Sequence, residues 1–417
     1  MTVGGSRSVS VFVVVAMWLC FVPQAKAETS VRAVTLEGRQ IDGTWSGVDE
    51  AGNIVLVQEG QAHTFAPSAL MRLYWPIPSP TSAPSAIEPA TTPSDVPLLP
   101  TTVFLRDGSM FRAHILTANA RHIELTTAPV ARLQLPFSAL TAVRFQHNTT
   151  ADAQVAFDHA LAQHDAAQDI LFVVQKDRLT ALHGIVESLT HDGGTFRWRD
   201  RQVPIDRDRV YGIVLASSVN RIPVPPSRYH LRDGSVWSGR IVGGDTTIVK
   251  LELVTGTTIT LPVKQLREVQ FQSDRMVFLS DLDPVRYEFE PFGITRWPYR
   301  KNRSVANRPM RIGNQVFDCG IGMHAQSKLV YALTEPFSQL AAVIGIDEAV
   351  GSLGHVVFRV MAERAEVFNS GPVTGEDSPR PILVPLNGSQ NLELIVDFGE
   401  QLDVGDHANW GDVRLIR

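Results

Sequence analysis

The sequence contains only two cysteines, Cys20 and Cys319, which excludes a fold held together by a network of disulfide bonds. Cys20 lies in an N-terminal segment that we expect to be removed, so Cys319 would remain alone in the mature chain. We interpret Cys319 as a small buried apolar residue rather than a nucleophile. The sequence also lacks a basic excess, because its formal net charge is −5. No positive field therefore indicates a nucleic-acid partner.

Long apolar runs are equally scarce, and the main one lies at the N-terminus. Arg7 precedes an apolar stretch over residues 9–22, which is too short to span a bilayer comfortably. Ala25-Lys26-Ala27 then supplies the small-x-small pattern of a signal-peptide cleavage site. We predict a signal peptide at residues 1–27 and an exported protein, which would be periplasmic, cell-surface or extracellular. We predict no membrane span after cleavage, and an uncleaved anchor is the alternative.

Helical periodicity is rare, whereas short alternating runs rich in Val, Thr, Leu and Gly recur and predict an all-β protein. In the N-terminal two-thirds these runs form an internal repeat. Leu105-Arg106-Asp107-Gly108 recurs as Leu231-Arg232-Asp233-Gly234, and a Leu-Pro pair ends 28 residues beyond each glycine. The remaining two copies are a regular one, from Gly38 through Ala66 to Leu70, Leu73 and Trp75, and a looser one containing Leu182 to Val186 and Val203-Pro204.

Each repeat predicts a small, strongly bent β-barrel of the SH3-like or Sm-like kind. A unit of about 45 residues is near the lower limit for an independent core, so we expect neighbouring units to pack together. The predicted units span 28–75, 101–146, 169–218 and 219–273, with a proline-rich linker at 76–100 and a helical connector at 147–168. The one predicted helix is Ala151 to Gln168. The units would act as spacers or as interaction modules for a protein partner.

The last part of the chain, residues 274–417, differs in character. Aromatic and basic residues concentrate between Trp297 and Ser304, and strand-like runs follow at 340–346, 356–362, 382–385 and 392–398. Evenly spaced strands without helices predict an antiparallel β-sandwich or jelly roll. The predicted fold class is therefore all-β, with tandem small SH3-like or Sm-like barrels, one short helix between repeats, and a C-terminal β-sandwich jelly roll.

Several ordered sequence blocks characterise this C-terminal region. They are Gly320 to Ala325 with Ser327 and Tyr331, Ile344 to Glu348, Val357-Phe358, Phe368 to Gly371, Leu392 to Gly399, and Asp406-His407-Ala408 with Trp410, Asp412, Arg414 and Leu415. Together they resemble the NPCBM/NEW2 domain, also classed as carbohydrate-binding module family 51, which is a galactose-binding-like jelly roll. The sequence departs from that family at Asn409, where Asp is common. The resemblance implies carbohydrate binding, with a galactoside-type glycan as the candidate ligand.

A sugar requires an aromatic platform for its apolar face and polar groups for its hydroxyls. The candidate carbohydrate-binding residues are Trp297, Tyr299, Arg300, Arg303, His324, Asn409, Trp410 and Asp412. The alternatives are that His324 orients backbone and that Trp410 belongs to the core, while Arg414 is expected to pair with a carboxylate. Many modules of this family hold a structural calcium, so the resemblance also implies a metal site at Asp347, Glu348 and Asp406.

Catalysis is not predicted. The sequence shows no nucleophile elbow, His-Glu-x-x-His helix or phosphate loop, and little chain lies outside the repeats and the C-terminal module. We therefore predict a secreted, non-catalytic carbohydrate-binding protein. The alternative is an envelope-associated scaffold or protein-interaction protein without sugar binding.

Overall fold

The computed structural model describes residues 29–75, 101–128, 130–145, 151–163, 167–175, 178–216, 227–290, 294–399 and 404–417. The predicted signal peptide and proline-rich linker lie outside these ranges. Within them the chain is almost entirely β-structure, and the one α-helix, α1, spans Ala151–Gln163. Residues 167 and 168 form a bend, so the helix ends before the predicted Gln168. In the same ranges no helix has the length and apolar character needed to cross a bilayer.

Four units of five antiparallel strands precede the C-terminal module. Unit 1 comprises β1 (Ser30–Thr35), β2 (Gln40–Val48), β3 (Ile54–Gln58), β4 (Gln61–Phe65) and β5 (Leu70–Tyr74). Unit 2 comprises β6 (Thr101–Leu105), β7 (Met110–Ala118), β8 (His122–Thr126), β9 (Leu133–Pro136) and β10 (Leu140–Arg144). Unit 3 comprises β11 (Asp169–Gln175), β12 (Arg178–Thr190), β13 (Gly193–Trp198), β14 (Arg201–Asp206) and β15 (Val210–Val214). Unit 4 comprises β16 (Ser227–Leu231), β17 (Val236–Gly244), β18 (Ile248–Glu252), β19 (Thr258–Pro262) and β20 (Leu266–Gln270).

All four units share one connectivity. Consecutive strands from the first to the fourth pair as hairpins. A three-residue 3₁₀ turn then leads into the fifth strand, which pairs back onto the first strand of the same unit. Each unit therefore bends upon itself around a small apolar interior.

The repeated Leu-Arg-Asp-Gly motif forms the turn between the first and second strands. Gly108 and Gly234 both have a φ of 86°, a left-handed value that glycine adopts without the steric penalty of a Cβ atom. The carboxylates of Asp107 and Asp233 each accept a 2.8 Å hydrogen bond from the backbone N–H two residues later. These are Asx turns, so backbone geometry explains the repetition of the motif.

The units associate in two pairs, unit 1 with unit 4 and unit 2 with unit 3, through their fifth strands. Leu73 of β5 lies opposite Val269 of β20, and Val143 of β10 lies opposite Ile213 of β15. Each of these residues is the fourth in its strand, so an approximate two-fold axis relates the members of each pair. The second strands also meet in both pairs, β2 with β17 and β7 with β12.

The two pairs meet where unit 2 contacts unit 4. The rings of Phe111 and Trp237 stack with centroids 4.0 Å apart and planes inclined by 9°. Ser109 Oγ accepts a 2.9 Å hydrogen bond from the backbone N–H of Ser238. Buried residues of all four units form one continuous apolar cluster. The four units therefore share one core.

Each pair of fifth strands has an outer face, and different elements cover the two faces. On units 2 and 3, the third residues of the fifth strands are Ala142 and Gly212. A Cβ atom at Gly212 would lie 2.7 Å from the ring of Phe157, so these small residues make room for helix α1. On units 1 and 4, the equivalent residues are Arg72 and Glu268, and the C-terminal module covers that face.

The C-terminal module is a sandwich of two antiparallel sheets around its own apolar core. Its strands are β21 (Met276–Phe278), β22 (Arg286–Phe289), β23 (Arg300–Lys301), β24 (Met310–Ile312), β25 (Gln315–Phe317), β26 (Gly320–His324), β27 (Ser327–Ala332), β28 (Gln339–Ile346), β29 (His355–Ala362), β30 (Ala365–Thr374), β31 (Arg380–Pro385), β32 (Asn391–Phe398) and β33 (His407–Ile416). One sheet has the order β23-β26-β33-β28-β31, with β21 also on β33, and the other has the order β22-β27-β32-β29-β30. The predicted all-β class with a C-terminal sandwich is confirmed.

Strand β33 carries the contact with units 1 and 4, which we call the junction. Arg72 donates a 2.8 Å hydrogen bond to Glu268 and a 2.7 Å hydrogen bond to Asp412, and all three side chains are buried. Arg414 Nε donates at 2.7 Å to the carbonyl of Leu36. Beside these polar contacts lies an apolar cluster formed by Val34, Leu36, Met71, Met276, Ala341 and Ile416.

The junction corrects two sequence-based expectations. Asp412 is a predicted sugar ligand, but its carboxylate is buried against Arg72 and does not face solvent. Burial raises the pKa of Asp412, and the charges of Arg72 and Arg414 oppose that rise. Arg414 hydrogen-bonds the carbonyls of Leu36 and Asp412 rather than a carboxylate.

Replacement of Arg72 tests the junction. Arg72→Met would leave the buried carboxylates of Glu268 and Asp412 without their cation, and we expect a loss of about 3–5 kcal/mol in the free energy of unfolding. Arg32→Met is the matched control, because Arg32 and its partner Asp42 are half-exposed or more and such pairs contribute roughly 0–1 kcal/mol. Denaturant-induced unfolding of the full chain measures both variants, and equal small losses would contradict the assigned role.

Candidate functional site

Four rings gather at one end of the sandwich, and we call them the aromatic cluster. Trp297 stacks on His324 with centroids 5.5 Å apart and planes inclined by 1°. Trp297 also meets His407 edge-on at 4.9 Å, and the two imidazoles are 5.6 Å apart. Phe289 packs edge-on against His324 at 6.1 Å. The cluster lies where β26 ends and β33 begins.

Local structure explains why these residues meet. β26 and β33 are adjacent antiparallel strands in which His324 lies opposite His407, and opposed residues share one face of a sheet. The irregular segment before β23 brings Trp297 onto the two imidazoles, and its carbonyl accepts a 2.5 Å hydrogen bond from Tyr287 Oη. As a result Trp297 is half-buried, while His324 is almost fully buried.

A buried polar group lies beside the aromatic cluster. Asn409 Nδ2 donates at 2.8 Å to Asp347 and at 3.1 Å to the carbonyl of Arg311. The other carboxylate oxygen of Asp347 accepts a 3.1 Å hydrogen bond from the N–H of Ala349. The N–H of Asp347 in turn donates at 2.8 Å to the carbonyl of His407. Asp347 therefore ties the start of β33 to the end of β28.

The electrostatic environment keeps His407 neutral near pH 7. Burial lowers the pKa of His407 from its usual value, the neighbouring His324 and Arg308 add to the decrease, and Asp347 opposes it. A neutral imidazole offers one hydrogen-bond donor and one acceptor. Because Nδ1 of His407 is buried, a ligand could use only Nε2, which either donates or accepts according to the tautomer.

The structure brings together part of the predicted sugar-binding set. Trp297 and His324 belong to the aromatic cluster, and Tyr299 packs beside it against Tyr287 at 5.1 Å. Arg300 and Arg303 are exposed on the segment that follows Trp297 and do not contact the cluster rings in any described interaction.

Two predicted residues have structural roles instead. Trp410 is fully buried in the sandwich core, where it meets Phe358 edge-on at 5.0 Å. It has no face available to a sugar, so the alternative of a core residue is correct. Asn409 is also fully buried, and its hydrogen bonds to Asp347 and to the carbonyl of Arg311 use it for structure beside the cluster.

His407 and Arg308 were not among the predicted site residues. His407 stands in the Asp406-His407-Ala408 block, and its position opposite His324 follows only once β26 is paired with β33. Arg308 lies between strands, where alternation of side chains gives no guide to its direction. Sequence spacing alone therefore could not identify them.

The predicted calcium ligands do not form a metal centre. Asp347 is hydrogen-bonded by Asn409 and Ala349, Asp406 is buried and accepts a 2.9 Å hydrogen bond from the N–H of His355, and Glu348 is exposed. Across the part of the chain that the structure describes, no three His, Cys, Asp or Glu side chains could together hold a metal ion. Asp347, Glu348 and Asp406 therefore do not form a three-ligand side-chain site.

Acidification should weaken the fold through His407. Because its folded-state pKa lies below the unfolded value of 6.5, its stabilising contribution is present above that pH and is lost as the pH falls through the folded pKa. We expect the stability advantage of the wild type over His407→Gln to shrink between about pH 7.5 and pH 5. His63→Gln, at an exposed position of unit 1, is the control. Unfolding midpoints measure the effect, and an advantage that does not change with pH would contradict it.

Comparison with known proteins gives a match in this module. Residues 275–416 match the protein-family model of the NPCBM/NEW2 domain. A putative endo-alpha-N-acetylgalactosaminidase of Renibacterium salmoninarum is 28% identical over 108 residues, which are 26% of this chain. Alpha-1,3-galactosidase B of Akkermansia muciniphila is 30% identical over 118 residues, which are 27% of this chain. The matched segments are only 7% and 15% of the lengths of these relatives.

Solved structures give similar matches. The CBM51 module from Clostridium perfringens GH95, in complex with methyl-galactose, is 26% identical with a TM-score of 0.31, covering 34% of this chain and 99% of that module. Tandem CBM51 modules of a family 98 glycoside hydrolase from Streptococcus pneumoniae align over 93% of this chain and 88% of theirs, at 11% identity and a TM-score of 0.31. The C-terminal third of this chain, residues 275–416, is an NPCBM/NEW2 domain.

Proposed function

We propose that this protein is a non-catalytic carbohydrate-binding protein whose ligand site is the aromatic cluster of its NPCBM/NEW2 domain. The observation that carries the proposal is the half-buried indole of Trp297, held flat on His324 and beside His407. An indole fixed on one side leaves its remaining surface for the C–H face of a sugar ring. The family match of residues 275–416 supports this reading.

The polar groups around Trp297 suit a hydroxylated ligand. Sugar hydroxyls both donate and accept hydrogen bonds, so Nε2 of neutral His407 can pair with a hydroxyl in either tautomer. Arg308, whose charge acts on His407, adds a group that only donates. Asp347 and Asn409 are buried beside the site, so we assign them the role of positioning His407 rather than of contacting the ligand.

The names of the relatives support a galactose-type ligand. They are named as an endo-alpha-N-acetylgalactosaminidase and an alpha-1,3-galactosidase. In each of them the similarity to this chain covers a small part of the protein. We therefore propose a galactoside-type glycan as the ligand and propose no catalytic activity for the module.

The four N-terminal units act in this proposal as a rigid support of SH3-like β-barrels. Their shared core and the junction at Arg72 support a fixed orientation of the module. The apolar stretch and cleavage pattern within residues 1–27 support export to the periplasm, the cell surface or the medium. A glycan outside the cytoplasm would be the corresponding ligand.

Replacement of Trp297 tests the binding site. Loss of an aromatic platform removes stacking on the sugar and the burial that accompanies it, so we expect Trp297→Ala to weaken glycan binding roughly tenfold or more. The full-length protein is first screened on a glycan array that includes galactosides, and the affinity for the best glycan is then measured by isothermal titration calorimetry.

Trp198→Ala is the matched control, because Trp198 is also half-buried but lies in unit 3. It should bind the selected glycan as the wild type does. If the wild type binds no glycan on a broad array, the carbohydrate proposal fails and the scaffold alternative remains. If Trp297→Ala binds as well as the wild type, carbohydrate is bound elsewhere.

A further inference from the structure

The segment that carries Trp297 is strongly basic. From residue 291 to residue 317 the sequence has six basic residues and no Asp or Glu, although the whole chain has a net charge of −5. The six are Arg296, Arg300, Lys301, Arg303, Arg308 and Arg311, and we call this stretch the basic segment. Such a concentration of one charge in a weakly acidic protein calls for a specific explanation.

The basic segment lies beside the aromatic cluster. Arg300 and Lys301 form β23, where Arg300 lies opposite Gly322, two residues before His324. The chain then crosses the face of β26, since a Cβ atom at Gly322 would lie 2.5 Å from the carbonyl oxygen of Arg303. Farther along, Arg308 is close enough to His407 for its charge to affect that ring. The segment therefore lies beside the proposed site.

Most of these charges are not neutralised by neighbouring carboxylates. Lys301 pairs with Asp283 at 2.6 Å. Among the residues that the structure describes, no carboxylate lies within 4.0 Å of the side-chain nitrogens of the five arginines, all of which are exposed. The carboxylates that follow β28 are Asp347, which is buried and hydrogen-bonded by Asn409, and Glu348, which is exposed. Glu290, which follows Phe289 of the cluster, is a further exposed carboxylate beside the site. The five exposed arginines outnumber Glu290 and Glu348, so a positive excess remains.

We propose that the natural ligand of this site is an anionic glycan, in which a carboxylate or sulfate group on or beside the stacked sugar is bound by the basic segment. This inference rests on the proposed carbohydrate site and specifies its ligand class. The neutral sugar ring occupies Trp297, while guanidinium groups meet the anion with charge-assisted hydrogen bonds. Exposed arginines also steer an anionic ligand toward the site, and salt weakens that attraction.

The test compares three related ligands on the full-length protein: lactose, 3′-sialyllactose, which carries a carboxylate, and 3′-sulfolactose, which carries a sulfate. Isothermal titration calorimetry is performed at low and high NaCl. We expect at least one anionic ligand to bind roughly tenfold more tightly than lactose at low salt, because charged hydrogen bonds are stronger than neutral ones. This advantage should shrink at high salt. The comparison of the two anions identifies the preferred group.

Variants connect the preference to particular residues. Arg300→Gln and Arg308→Gln should each reduce the ratio of anionic to neutral affinity by roughly two- to fivefold, the range expected for a partly exposed charge pair. Arg364→Gln is the matched control, because Arg364 is an exposed arginine of the same module in the β29–β30 turn, away from the cluster. It should leave the ratio unchanged.

The outcomes separate this inference from the proposed function. Equal, salt-independent affinities for lactose and both anions would overturn the anionic preference and leave sugar binding in place. Failure to bind any of the three, together with an empty glycan array, would remove the proposed function itself. Anion binding that persists in Trp297→Ala would show attraction by charge alone and would also overturn the inference.

Discussion

A single buried guanidinium joins three parts of the chain. Arg72 of unit 1 bonds Glu268 of unit 4 and Asp412 of the sandwich, which lies 340 residues away in the sequence. Removing these charges from water is costly, and only correct placement of all three groups offsets that cost. A shifted docking of the sandwich would leave at least one charge buried without its partner. The junction therefore favours one arrangement of the repeats and the NPCBM/NEW2 domain, on which the direction of the candidate site depends.

The repeats show how small units acquire a stable core. The same approximate two-fold pairing occurs twice, about Leu73 and Val269 and about Val143 and Ile213. Each pair leaves one outer face that must be covered. In units 2 and 3, small residues at the third position of the fifth strand make room for helix α1. In units 1 and 4, the oppositely charged residues at that position bind the sandwich. The residue type at the third position of the fifth strand thus decides whether the helix or the sandwich packs on the outer face of a pair of units.

Local features were readable from the sequence, whereas distant partnerships were not. The Asp-Gly turns, the four repeats and the sandwich follow from short-range spacing and alternation. The aromatic segment around Trp297 was also identifiable, because its composition differs from that of the rest of the chain. The sequence could not show that Asp412 faces Arg72 or that Trp410 packs on Phe358, since these contacts depend on which strands become neighbours. His407 was missed for the same reason.

Strand β33 combines the candidate site and the junction. Strand β33 has a β-bulge in its pairing with β28. Ala408 and Trp410 point into the core before the bulge, and Val413 and Leu415 point into the core after it, so the inward-facing positions change from even to odd residue numbers. Asp412 lies in the bulge with a φ of 48° and is thereby free to reach Arg72. His407, at the other end of the strand, is about 16 Å from Asp412 at ~3.3 Å per residue. Strand β33 therefore begins in the aromatic cluster and contacts the repeats toward its other end. The docking of the repeats on β33 thus leaves the aromatic cluster away from the junction.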